Sequence, residues 1–264
     1  MNLTLLKKEW KSNYKLCLIF AGVLALYQAV ILYMFDPALG SSLDQFTEAM
    51  PELMAMFGMA NAGGTLIEFL ANYLYGALLL IFPLVFEILL INKLVVRYVD
   101  RGSMAYLLST KNSRRKIIVT QAAVVWIFEL VLLGFSTLFM ILTSQIAFPG
   151  ELAVYELLKL NVCLFLLQFS LSGICFLAAC ASSDSRYYHL FGAGIPVLFY
   201  LVQMLANMGG KLENLKYATL FTLFEPMRII GEGINWVSVI ILAVLGILLY
   251  GLAIRIFCRK DLSL

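Results

Sequence analysis

Charge is scarce in this chain, and histidine is almost absent. Only 13% of its 264 residues are charged, and His189 is the lone histidine. No Gly-x-x-x-x-Gly-Lys-Ser/Thr loop occurs, and "MGGKLE" at 208–213 has the wrong spacing. The chain therefore cannot bind and hydrolyse a nucleotide by that route alone. Gly-x-Ser-x-Gly and His-Glu-x-x-His are missing as well, which leaves a hydrolase without the positioned base its nucleophile needs. The five cysteines (Cys17, Cys163, Cys175, Cys180, Cys258) form no Cys-x-x-Cys pair. They lie in or at the ends of apolar segments, where a thiol acts as a small apolar filler. With no cluster around His189, no metal site is expected. No repeat and no low-complexity tract interrupts the chain.

What the chain has instead is apolar surface. It is 62% hydrophobic, with a mean hydropathy of +0.92, whereas soluble domains are nearer half apolar and about a quarter charged. A membrane helix needs ~20 apolar residues, and runs of that order fall at 16–35, 72–94, 117–146, 158–181, 190–208 and 236–257. These runs predict an all-α integral membrane protein, one six-span domain covering 1–264. The first run is longer than a signal core and lacks a small-residue cleavage site, so it is expected to be retained. The third is long enough to tilt or project. Pro83 and Pro196 each free a backbone carbonyl, tolerable in lipid only where a neighbour satisfies it.

The basic residues orient the bundle. With the N-terminus inside, the cytoplasmic side receives 15 of the 19; Lys159, Lys211, Lys216 and Arg228 fall outside. Both termini are then cytoplasmic. At the front, Leu3, Leu6 and Trp10 oppose Lys7, Lys8 and Lys11, the pattern of an amphipathic helix in the headgroup plane; residues 1–15 are expected to form such an interfacial elbow. On the outer side, Leu43, Phe46, Met50, Leu53 and Phe57 make one helical stripe. "NAGGT" then separates it from a second short segment, "LIEFLANY". The connection at 209–235 reads as short outer helices bounded by glycines.

Two carboxylates stand inside apolar runs, Glu87 in the second and Glu129 in the third. A charge at the bilayer centre costs ~2.5–3.5 kcal/mol on insertion scales, so such groups face the bundle interior, pair, or stay protonated. They fit a translocation path or proton relay, and equally a protonated helix contact.

The most polar stretch is "RYVDRGSMAYLLSTKNSRRK", 97–116. Gly102 permits a sharp reversal, and Ser103 can cap a short helix from Met104. Met104, Leu107 and Leu108 would give that helix an apolar face. Asn112 or Ser113 can cap the third span, with Arg114, Arg115 and Lys116 at its end. An apolar ridge with charged flanks suits a groove on a soluble partner.

This segment resembles the loop between spans two and three of bacterial ATP-binding-cassette permeases of the type-2 exporter class. Asp100, Arg101, Gly102, Ser103, Leu107, Leu108, Ser113 and Arg114 match that family's pattern; Lys111 stands where proline is usual. The resemblance extends to "LLKKEWKSNYK", "AMPELMAMFGM", "TLFEP" and "FCRKDLSL". It implies a six-span permease in a bacterial plasma membrane, dimeric with a second copy or a paralogue. Its work would come from separately encoded ATPase subunits that hold ATP and magnesium, through a cytoplasmic coupling helix at 97–116. The chain itself would bind no cofactor, contact membrane lipid and no nucleic acid, and export its substrate. Met- and Phe-rich spans suit an amphipathic compound, such as a drug or antimicrobial peptide, and suit lipid-facing packing equally. A proton-coupled carrier using Glu87 and Glu129 is the alternative, as is an immunity or sensor subunit that binds without transport.

Overall fold

The computed structural model describes residues 1–35, 49–59, 64–100, 102–104 and 113–260. Among the described residues, six helices are long and apolar enough to cross a membrane: Leu3–Tyr33, Leu66–Asp100, Arg114–Ala147, Val154–Ala181, Ser185–Asn207 and Trp236–Arg259, the first to sixth spans. No strand occurs among the described residues. Leu138, Leu142 and Ile146 leave one apolar row exposed on the third span, and Ile240, Val244 and Ile247 another on the sixth. Rows of this kind are untenable in water and ordinary against lipid. Trp236, Tyr155 and Tyr217 are exposed towards the ends of their helices, where amphipathic rings suit a headgroup layer.

The spans run alternately up and down, and the ends rich in Lys and Arg meet. The Asn2 amide donates to Thr120 Oγ1 at 2.8 Å. Arg114 Nη1 donates to the Lys260 carbonyl at 2.7 Å, and Lys260 Nζ to that of Ala181 at 2.9 Å. At the opposite end, Phe35 packs on Phe69 and Phe148.

Two expectations need correction. No bend separates residues 3–15 from the first span, because Leu3–Tyr33 is one helix. Its buried residues, Leu5, Glu9, Asn13, Cys17, Ala21 and Leu24, recur at helical spacing across that boundary, so one face packs throughout. The expected stripe lies elsewhere on this helix: Leu3 is exposed, and Trp10 stacks on Phe128 at its side. Nor is "LIEFLANY" a separate segment. Thr65 and Glu68 form a capping box, satisfying two orphan N–H groups, and the helix continues into the second span. Of the outer stripe, 43–48 lie outside the described residues; Pro51–Met56 is helical. Residues 209–235 do contain short helices, at Gly210–Ala218, Phe221–Leu223 and Pro226–Gly231.

The fourth span organises the interior. Its contact with the sixth depends on small residues: a Cβ on Gly246 would stand 2.3 Å from the Phe169 ring, so the helices approach closely there. Ser170 Oγ donates to the Leu242 carbonyl at 2.7 Å and the Tyr250 hydroxyl to Ser172 Oγ at 3.0 Å. The same helix answers both prolines. Pro83 offers no N–H to the Leu79 carbonyl, and Gln168 Nε2 donates to Leu79 and Leu80 at 3.3 and 3.0 Å. Pro196 likewise releases the Gly192 carbonyl, which accepts from the Cys175 thiol at 3.0 Å. The Tyr188 hydroxyl reaches the Ile88 carbonyl at 2.7 Å. Spans two, four and five are thus pinned by side chains.

Candidate functional sites: an interior carboxyl pair and a braced basic end

Glu87 follows Pro83 by one turn, and Glu129 sits midway along the third span. Their side chains are 0% and 1% exposed. The two carboxyl groups adjoin within hydrogen-bonding reach, and no other described group donates to any of their four oxygens. No described Lys or Arg forms an ion pair with either. A hydrogen bond between two carboxyls requires a proton on one of them, and two adjacent charges would repel in so apolar a place. The arrangement can therefore hold a shared proton. Cys175, Tyr188 and Tyr250 lie within electrostatic reach of Glu87, so five spans contribute polar groups here.

At the basic end, Asp100 closes the second span and is exposed. The backbone reverses at Gly102, whose φ is +67°, a conformation costly for any residue with a Cβ; its N–H donates to the Val99 carbonyl at 3.0 Å. The Ser103 hydroxyl donates to the Tyr98 carbonyl at 3.3 Å. Met104 is 1% exposed, turned into this chain's own core, and so contributes nothing to an outward apolar ridge. Arg101, Leu107 and Leu108 lie outside the described residues. Ser113 caps the third span, its Oγ accepting from the Lys116 amide at 3.3 Å, and Arg114 is held by the Lys260 carbonyl. Partial burial lowers the Lys260 ammonium from the ordinary lysine value.

Sequence reasoning missed the network beside this turn. Glu9 and Asn13 are each 2% exposed. The Tyr98 hydroxyl donates to Glu9 Oε1 at 2.7 Å, Lys8 Nζ to that hydroxyl at 3.2 Å, and Asn13 Nδ2 to the Glu9 carbonyl at 3.0 Å. The signal was available, since Leu5, Glu9, Asn13 and Cys17 recur every four residues on one helical face. The bonds brace the first span against the end of the second. Comparison with protein-family models, with curated proteins and with solved structures finds no match for this chain.

Proposed function

We propose that the chain is the membrane-spanning subunit of an ATP-driven exporter, worked by separate ATPase subunits that engage residues 97–116. The observation that carries this reading is the bracing around that segment. Arg114 ties its far end to the sixth span, and Tyr98 ties its near end to the first. Lys260 continues the connection to the fourth. A push on the turn between spans two and three would then move three further helix ends as a body, which is what coupling to an external motor requires. The match of Asp100 to Ser103 and of Ser113 and Arg114 to the type-2 permease pattern supports the same reading, as does the missing nucleotide loop. On this reading the basic end is cytoplasmic, ATP and magnesium belong to the partner, and a second permease subunit completes the assembly. The spans would export an amphipathic compound.

The contact between Glu87 and Glu129 favours one other reading, a proton-coupled carrier. The deciding experiment purifies the tagged chain from its native membranes. A Walker-containing ATPase is expected to copurify, and Asp100→Lys, Arg101→Glu and Leu107→Asp to abolish the association while membrane insertion is retained. Glu87→Gln and Glu129→Gln should leave docking unchanged. Normal assembly in all three docking variants refutes the coupling role. Transport that follows a proton gradient with ATP exhausted assigns the chain to the carrier class.

A further inference from the structure

At the end of the bundle opposite the basic turn lies a cavity of about 630 Å³, within the range that accommodates a drug-sized ligand. Its position follows from the chain. Gly58 and Gly76 bring the outer segment against the start of the second span, the Gly58 Cα lying 3.4 Å from where a Cβ on Gly76 would stand. The fifth span closes another side. Gln203 Oε1 accepts from the Thr219 and Thr222 hydroxyls at 3.0 Å each, while its Nε2 donates to Asn207 Oδ1 at 2.9 Å. The roof formed by the outer connection is thereby fixed to the fifth span. The hollow is held open by bonded polar groups, as a preformed site is.

The walls specify a chemistry. Met56, Met204 and Met227 border the cavity with Tyr75, Tyr200 and Phe224, thioethers that adapt to varied shapes and rings whose faces attract cations. Tyr200 is 7% exposed, and its hydroxyl has no partner among the described residues. The charges stand at the mouth, on Glu225, Arg228 and Glu232. Arg228 Nε is committed to Glu232 at 2.8 Å, while its Nη1 only approaches Glu225, at 4.0 Å. Lys216, which also feels Glu225, is paired with Glu213 at 2.7 Å, so that pair adds no net charge. Two carboxylates against one guanidinium leave the entrance negative, and among the described residues no Lys or Arg other than Arg228 borders the cavity.

We infer that this cavity is a binding site for small lipophilic cations, the apolar body among the methionines and rings and the positive end towards Glu225. The inference concerns binding by this chain itself and stands apart from what drives the protein. Its test uses tetraphenylphosphonium and tetraphenylborate, ions of nearly the same shape and opposite charge, in equilibrium binding to the purified full chain. Tetraphenylphosphonium is expected to bind saturably and the borate at least roughly tenfold more weakly, the scale of one charge interaction at a partly wet site. Replacing Glu225→Gln together with Glu232→Gln leaves Arg228 alone at the mouth and should invert the preference. Met204→Trp should abolish binding by filling the hollow; if that variant fails to fold, Ala55→Phe blocks it from the opposite wall. Equal affinity for the two ions, a preference that survives the double carboxamide variant, or unchanged binding in a folded blocked variant overturns the inference.

Discussion

The second and fifth spans each contain a proline, and each hands the carbonyl that proline releases to the fourth span, but the donors differ in strength. In the second span Gln168 serves two carbonyls with a carboxamide. In the fifth, Cys175 serves one with a thiol, a weak donor. The surroundings account for the difference. Two thirds of the second span's apolar window is buried against about a fifth of the fifth's, 67% and 22%. A π-turn at Tyr188–Ala193 also precedes Pro196, and the Gly194 N–H there reaches the His189 and Phe191 carbonyls. The second span has π-turns too, at Leu74–Leu78 and Asn92–Val96, but Gly192 lies inside the fifth span's turn, whereas Leu79 lies just beyond the nearer one in the second. Disturbance should therefore be felt most in the second span and least in the fifth.

The largest effect is expected one turn beyond Pro83, where among the described residues Glu87 has only Glu129 to turn to. Glu129→Leu strands the remaining carboxyl and should lower unfolding stability by about 1–3 kcal/mol, the cost of an unsatisfied buried polar group, in a denaturing-detergent titration. Adding Glu87→Leu should recover most of it; a further additive loss would show that the two groups do not satisfy one another. A smaller effect is expected at the proline. Gln168→Leu should cost about 1–2 kcal/mol, the scale of hydrogen bonds between membrane helices in model peptides. Gln168 Oε1 has no partner among the described residues, so the amide is kept for its donors alone. In a Pro83→Ala background, where the backbone supplies the N–H that Leu79 lacks, Gln168→Leu should become neutral or stabilising. A loss of the same size in both backgrounds separates the amide from the proline.

Continuous apolar runs made the six helices legible, because each is visible within its own segment. The long third run gives a helix of 34 residues, about 50 Å at ~1.5 Å per residue, longer than the ~30 Å hydrocarbon core. The boundary at residue 15 was misread because Lys7, Lys8 and Lys11 look like a solvated face, while the packing pattern through Glu9 and Asn13 is carried by polar residues. Thr65 and Glu68 spell a capping box that the short "LIEFLANY" reading overlooked. The side-by-side placement of Glu87 and Glu129, the donors that serve Leu79 and Gly192, and the cavity walls drawn from four separate stretches all depend on how helices meet. Residues 42 or 89 positions apart carry no local mark of that proximity.

The smallest expected effect is at Cys175, and it tests whether the fifth span's break matters energetically. Cys175→Ala and Cys175→Ser both remove the sulfur, so they share most of the packing loss, but only serine keeps a donor for the Gly192 carbonyl. The difference between them isolates the bond. It should be about 0.6 kcal/mol, the average measured for interhelical hydrogen bonds in a membrane protein, with serine the more stable in the same detergent titration. Pro196→Ala should erase this difference by restoring the N–H that Gly192 lacks. A serine advantage that persists after Pro196→Ala would mean the hydroxyl has found another acceptor, and Glu87, within electrostatic reach of Cys175, is the group to remove next. No difference in either background would leave the π-turn to satisfy the carbonyl unaided, and the two prolines would then be handled by different means.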